Sequence, residues 1–165
     1  GPLRRRDGIG VDPGGGEALG GAGPHPQLFR QKEGTGLSTL GTRDWSDYTV
    51  KANLTFSLHE AAGLAMYCRG HRRYYAARFR EGRRVEIVLE RDGETAVLAE
   101  CVFPYEQDWA YTVALSCRGW CFQLTVDGLP ILSAQDEGRV HKSGGCGFLV
   151  CDGSMLADDF AVLGE

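Results

Sequence analysis

The sequence predicts an all-β fold, an antiparallel β-sandwich, from three observations. Residues 49–58 alternate strictly, with Val50, Ala52, Leu54, Phe56 and Leu58 set between Thr49, Lys51, Asn53, Thr55 and Ser57. A period of two marks a strand with one buried and one wet face. The pattern returns in short segments almost to the C-terminus, with no convincing helical periodicity between them. Turn chemistry separates the segments, and many short strands with hairpin punctuation make a sandwich or barrel.

In chain order, the spacing predicts strands over 48–58, 62–69, 73–80, 84–91, 95–103, 109–117, 120–127, 129–134, 145–151 and 156–163. The turns are Arg91-Asp92-Gly93-Glu94, Cys117-Arg118-Gly119-Trp120, Val126-Asp127-Gly128-Leu129 and Lys142-Ser143-Gly144-Gly145. Asp-Gly and Gly-rich pairs supply the positive φ that tight hairpins demand. The segment 104–109, Pro-Tyr-Glu-Gln-Asp-Trp, reads as a short crossover. Ahead of the strands, residues 1–27 hold nine glycines, the basic triplet Arg4-Arg5-Arg6, and Pro2, Pro13 and Pro24. Such a stretch buries too little apolar surface to offset its ordering entropy. It reads as a Gly-rich linker or tag remnant, Gly1-Pro2 as the scar of a cleaved tag, and 28–165 as the sandwich domain.

The 165 residues are enough for one domain with a real core. No apolar run approaches the roughly 20 residues of a membrane span, so no membrane partner is expected. The net charge of −4 argues against nucleic acid. That average hides eight arginines between Arg69 and Arg91, at 69, 72, 73, 78, 80, 83, 84 and 91, against Glu81, Glu86 and Glu90. The six cysteines (68, 101, 117, 121, 146 and 151) show no Cys-x-x-Cys pair, and the histidines are scattered. A zinc site is not indicated. Small buried thiols in a reduced, cytoplasmic protein are the expectation, with Cys117 and Cys121 the best-placed disulfide pair.

Several motifs carry a resemblance. Asp47-Tyr48-Thr49-Val50, Glu60 to Tyr67, Arg73-Tyr74-Tyr75-Ala76, Val126-Asp127-Gly128, Gly145-Cys146-Gly147-Phe148 and Asp158-Asp159-Phe160-Ala161-Val162 follow one another in an order similar to the concanavalin A-like (laminin G-like) jelly rolls. The likeness covers about residues 40–165. It extends to accessory sandwich domains of bacterial glycoside hydrolases, including the C-terminal domain of family 43 β-xylosidases. The 3-keto-disaccharide hydrolase-like domains and sandwiches appended to ADP-ribosylglycohydrolase-like enzymes are similar too. The resemblance implies a concanavalin A-like jelly roll and says less about function, since one fold hosts many sites.

Four groups of residues are candidates for chemistry. Glu86 and Glu90 share a strand face about 13 Å apart by backbone rise. Family 16 glycoside hydrolases, which share the jelly roll, carry an acid and a nucleophile on such a strand with an Asp between them. Here Val88 occupies the central position and cannot tune either carboxylate. Retaining chemistry wants carboxyl groups about 5 Å apart. No catalytic pair is assigned, and no nucleophile elbow is present. In the arginine-rich hairpin, Tyr74, Arg78 and Arg80 share a face, with Tyr67 and Arg69 on the neighbouring strand. These side chains can stack a sugar and fork-bind a carboxylate or phosphate; equally, the arginines can balance Glu86, Glu90 and Glu100 across a wet sheet. Trp109, Tyr105 and Tyr111 can form an aromatic sugar platform at the rim, or lids on the core, while Trp45 reads as core. Asp44, Asp47, Asp152, Asp158 and Asp159 would meet if the first and last strands are neighbours. Calcium needs six to eight oxygens, and some related modules hold a structural calcium; otherwise these are turn caps.

The sequence is read as a non-catalytic carbohydrate-binding accessory module of a larger glycan- or sugar-phosphate-processing enzyme. Its expected ligand residues are Tyr67, Arg69, Tyr74 and Arg78 on the face and Tyr105 and Trp109 at the rim. An anionic glycan fits the charge better than a neutral one, and the catalytic domain would be the missing partner in the same chain. The expected metal is none, or a structural calcium at Asp44, Asp47, Asp158 and Asp159. The alternative is a structural or interaction domain that packs on a catalytic domain or on a second copy.

Overall fold

The computed structural model describes residues 27–42 and 44–164. The Gly-rich linker read from the sequence lies, up to residue 26, outside them. Ten strands follow in chain order: β1 (Gln27–Leu40), β2 (Tyr48–Phe56), β3 (Ala61–Cys68), β4 (Arg73–Arg80), β5 (Arg84–Arg91), β6 (Glu94–Val102), β7 (Ala110–Arg118), β8 (Cys121–Val126), β9 (Leu129–Gln135) and β10 (Gly145–Gly164). Every pairing is antiparallel. The hydrogen-bonded path runs β6-β5-β4-β3-β10-β2-β7-β8-β9, with β1 also on β10. No helix occurs among the described residues.

The long strand β10 folds this path into two layers. Its first half, Gly145 to Cys151, pairs with β3, and its second half, Met155 to Gly164, pairs with β2. β1 follows the same bend, Thr35–Leu40 against the first half and Gln27–Gln31 against the second. The front sheet is therefore β6-β5-β4-β3-β10-β1 and the back sheet β1-β10-β2-β7-β8-β9. At the far side β6 and β9 come back into contact, nearly closing the sandwich.

The alternation of β2 holds as read: Tyr48, Val50, Ala52, Leu54 and Phe56 are all buried. They face Leu64, Tyr75, Phe79, Ile87 and Phe148 of the front sheet in one continuous core. Apolar area removed from water is the main stabilising term here, about 1.5–3 kcal/mol for each large side chain. The strand stops at Phe56, two residues short of the alternating run, and Leu58 is exposed.

Three predicted turns are hairpins whose two central residues both have positive φ: Asp92 and Gly93, Gly119 and Trp120, Asp127 and Gly128. That is the geometry whose twist suits adjacent strands. The fourth, 142–145, closes no hairpin but ends a crossover from β9 to β10, while 103–109 carries the chain from the front edge to the back sheet. All six cysteines are free; Cys117 is buried and Cys121 exposed, on opposite sides of their hairpin. The disulfide considered for that pair is thus not formed.

Candidate functional site

β4 and β5 divide their side chains cleanly between core and surface. Tyr75, Ala77 and Phe79 enter the core, and Tyr74, Ala76, Arg78 and Arg80 stand on the outer face of the front sheet, as the alternation predicted. Cross-strand register then sets Arg78 opposite Glu86, Ala76 opposite Val88 and Tyr74 opposite Glu90. On the other side Ala65 lies opposite Ala76, and Gly63 opposite Arg78. The floor of this face is apolar: Ala65, Ala76, Val88, Leu149 and Leu37 form a second buried cluster with Cys68 and Tyr74. Gly63 is required by close approach, since a Cβ there would lie 1.9 Å from the carbonyl oxygen of Ala77.

Over that floor sits a fixed group of charges. Arg78 donates from Nε (3.1 Å) and Nη2 (2.5 Å) to Glu86 Oε1, and Arg80 Nη1 reaches the same oxygen at 3.3 Å. The Glu86 side chain is only 8% exposed and that of Arg78 17%. Arg84 pairs with Glu100 farther out, at 2.5 Å. Arginines balancing glutamates across the sheet, one of the two readings of this hairpin, is the observed arrangement. Charge-assisted bonds of this kind are short and strong. Burial, with Glu90 adding and Arg78 opposing, pushes the Tyr74 phenol up to about 12, so it stays a neutral donor on this face. Glu90 is occupied separately, accepting from Thr95 Oγ1 and from the backbone of Gly93 in the β5–β6 turn.

Of the six predicted ligand residues, only Tyr74 and Arg78 come together. Tyr67 points into the core. Between Ala65 and Cys68 β3 uses one residue more than β10 does between Gly147 and Gly145, and Tyr67 takes a φ of 56°. This bulge turns Met66 and Tyr67 both inward and returns Cys68 to the outer face. Tyr67 is held there by Tyr48 Oη, which accepts from its N–H at 2.9 Å, and by Asp47 N–H, which donates to its hydroxyl at 2.8 Å. Arg69 lies past the strand end, donating to Ser143 Oγ at 3.1 Å. Tyr105 is likewise core: it packs on Phe56, His59 and Phe79, with its hydroxyl on Arg80 O and His59 Nε2. Trp109 is 63% exposed and no ring among the described residues stacks on it, so the expected platform with Tyr105 and Tyr111 does not form. It follows Glu106, Gln107 and Asp108, which line an open groove of about 790 Å³ with Glu60, Glu81 and Asp152.

Among the described residues, Asp44, Asp47, Asp158 and Asp159 form no cluster of three ligand atoms. Tyr48, just after Asp47, lies opposite Gly164, whereas Asp158 lies opposite Asn53, five positions along the strand. Asp47 is used as a turn cap, its Oδ1 accepting from Gly119 N–H at 3.0 Å. The one cluster of three potential ligands among the described residues is Glu60, Cys151 and Asp152. A thiol and two carboxylates do not suit a cation that takes six to eight oxygens.

Glu86, weighed from the sequence both as half of a catalytic pair and as a partner of the arginines, takes the second role. Arg80 and Ala76 stand on this face as the alternation placed them, and Ala65 joins the floor once β3 and β4 are aligned.

No family model matches the chain, and no curated protein sequence matches it. Solved structures do. A carbohydrate-binding module, CBM66 from Bacillus subtilis, superposes with a TM-score of 0.71 over 81% of this chain and 84% of its own, at 18% identity. The galectin LEC-6 of Caenorhabditis elegans gives 0.55 over 79% of this chain and 95% of its own, at 11% identity. The family 43 protein BlXynB from Bacillus licheniformis gives 0.61 over 87% of this chain and 34% of its own, at 14% identity. The chain has the concanavalin A-like jelly-roll fold, shared with lectins and with domains of glycoside hydrolases.

Proposed function

We propose that this domain is a non-catalytic carbohydrate-binding accessory module of a larger glycan- or sugar-phosphate-processing enzyme. Sugar would bind on the outer face of the front sheet, at Tyr74, Arg78, Arg80 and Glu86. The observation that carries the reading is that charge cluster, hydrogen-bonded over an apolar floor. Sugar hydroxyls both donate and accept, so they match guanidinium donors and a carboxylate acceptor already fixed in place; little side-chain entropy is then lost on binding. Arg78 and Arg80 are the partly exposed members of the group and would make the first contact, with Tyr74 and the apolar floor buried beneath them. Similarity of fold to a carbohydrate-binding module and to galectins supports the choice of ligand class. Tethering such a module to a catalytic domain would raise the local substrate concentration without any new contact.

The test is a glycan array of neutral oligosaccharides, uronic-acid oligomers and ADP-ribose, followed by titration calorimetry on any hit. Binding lost in Tyr74→Phe combined with Arg78→Met, in protein that still melts cooperatively, supports the face. Silence across the array from folded protein overturns the module reading, and retained affinity in the double variant overturns the site.

A second reading has its own observation. Edge strand β6 leaves Val97 and Val102 exposed beside a backbone edge that pairs with no other strand among the described residues, an arrangement that proteins tend to cover. A structural domain that packs this edge on a catalytic domain or a second copy would explain it. Sedimentation of wild type against Val102→Lys tests self-association.

A further inference from the structure

At the end of the sandwich where β4 begins, the chain builds a second feature. Arg69, Arg73, Arg91, Val140, His141 and Lys142 line a cleft of about 360 Å³. It lies between the ends of β3, β4 and β5 and the crossover that leads into β10.

We infer that this cleft is an anion site, separate from the front face, that takes a sulfate ester or carboxylate carried by an acidic glycan. That a glycan carries the anion rests on the proposed function; that the cleft holds an anion does not.

The first argument is charge. Arg69, Arg72, Arg73, Arg91 and Lys142 converge on one end. Asp92 is gripped by Arg73 through Nε and Nη2 at 2.9 Å each. Arg72 and Arg91 act on the same carboxyl, which these cations hold below its usual range. Glu94 stands opposite Arg91 in the β5–β6 hairpin, and no ion pair joins the two among the described residues. Cations outnumber carboxylates, and a concave, low-dielectric wall focuses such a field.

The second argument is rigidity. The wall made by 136–143 is stitched on every side. Asp136 accepts from the backbone of Gly138 at 3.0 Å and Val140 at 2.9 Å, and from Tyr75 Oη. His141 Nε2 donates to Glu90 O at 2.8 Å, its carbonyl accepts from Trp120 Nε1 at 2.8 Å, and Arg139 lies over the Trp120 ring. Arg69 is anchored on Ser143. The backbone that carries Lys142 is thus fixed before a ligand arrives. Burial lowers the His141 imidazole below its usual value, with the Glu90 carbonyl and Asp136 opposing and Arg73 and Arg69 adding.

Guanidinium forks match the paired oxygens of sulfate and carboxylate alike. The experiment is an amide-resolved NMR titration with sodium sulfate, sodium glucuronate, and a sulfated oligosaccharide beside its desulfated form, all at matched ionic strength. Shifts confined to 69–73, 91–94 and 139–143 support the site. Arg91→Ala with Lys142→Ala, both exposed side chains, should weaken sulfate at least about tenfold while leaving the melting point in place. Absent shifts, shifts spread over every basic residue, or equal affinity in the double variant overturn the anion site. A sulfated oligosaccharide that binds no tighter than free sulfate overturns the glycan as carrier. Sulfate binding without any neutral-sugar binding leaves this site standing and removes the front-face reading instead.

Discussion

Arg78→Met tests whether the charge cluster of the front face is a fixed part of the structure. The perturbation removes the principal partner of a carboxylate that is 8% exposed. Stripping one member from a buried ion pair costs about 3–5 kcal/mol when the other is left alone. Glu86 is not left alone, because Arg80 Nη1 stays at 3.3 Å. The expected loss is therefore nearer to 2 kcal/mol, and at roughly 2–4 °C per kcal/mol for a chain of this length the melting point falls about 4–8 °C. Arg84→Met is the internal control. Its pair with Glu100 has the same 2.5 Å separation but side chains 45% and 48% exposed. Exposed pairs contribute about 0–1 kcal/mol and are screened by salt.

The assay is urea unfolding at low and at 1 M salt, the upper value chosen because the screening length there is only about 3 Å. Arg78→Met should cost about 2 kcal/mol at both, whereas the smaller Arg84→Met effect should vanish at high salt. Adding Glu86→Leu to Arg78→Met should recover much of the loss, since it is the stranded charge that is expensive. Equal costs for Arg78→Met and Arg84→Met would refute the reasoning, and so would a double variant no better than the single one.

Other residues give sharper yes-or-no outcomes. Tyr75→Phe removes a donor to buried Asp136 and should cost about 1–3 kcal/mol in urea unfolding. Burial works to raise the Asp136 carboxyl, but Tyr75 and the N–H groups of Val140 and Gly138 hold it below its usual range. That contribution is complete above about pH 4 and is lost as pH falls through the folded-state value. The acid limb of stability should flatten in Tyr75→Phe; an unchanged limb would count against it. Gly63→Ala forces its Cβ against Ala77 O and should melt well below Gly138→Ala, where a Cβ meets nothing closer than 3.5 Å. Tyr67→Ala should cost about 3–5 kcal/mol as a core deletion, and Trp109→Ala should stay within about 0.5 kcal/mol. Comparable thermal melts for those two variants would contradict their opposite burial.

Alternation made most strands legible, and departures from alternation hid the rest. β1 was not read because its only buried apolar residues, Phe29, Leu37 and Leu40, follow no period of two. A bulge between Gln31 and Thr35 resets its register midway. β10 reads as two strands because Asp152-Gly153 looks like a turn. It is a bend within one strand, with Asp152 at φ 48° and Gly153 where a Cβ would lie 2.2 Å from Leu58 O. The same physics misplaced Tyr67. Parity counted from Ala65 puts it outside, and one extra residue puts it inside. No local signal announces such a bulge, because the strain at Tyr67 is relieved by Asp47 and Tyr48, about twenty residues away in sequence. Tyr74 and Arg78 were placed correctly because β4 pairs with β5 without interruption.

The two ends of the sandwich are charged with opposite sign, which bears on how an anionic chain would lie. Arg69, Arg73, Arg91 and Lys142 stand where β4 begins. Glu60, Glu81, Glu106, Asp108 and Asp152 surround the groove where it ends, with Arg83 among them. The strand between is eight residues long, so the ends are about 25 Å apart by backbone rise. That is roughly three screening lengths at physiological salt, and each end acts on its own neighbourhood rather than through a shared field. A polyanion is therefore drawn to one end and turned away from the other. Arg78 and Tyr74 lie between the ends, where Glu86 offsets one of the two nearest guanidinium charges, so a sugar bound there through its hydroxyls would depend little on salt. Raising ionic strength should release the anionic group while sparing the neutral-sugar contact, and that separation makes the two sites distinguishable in one titration.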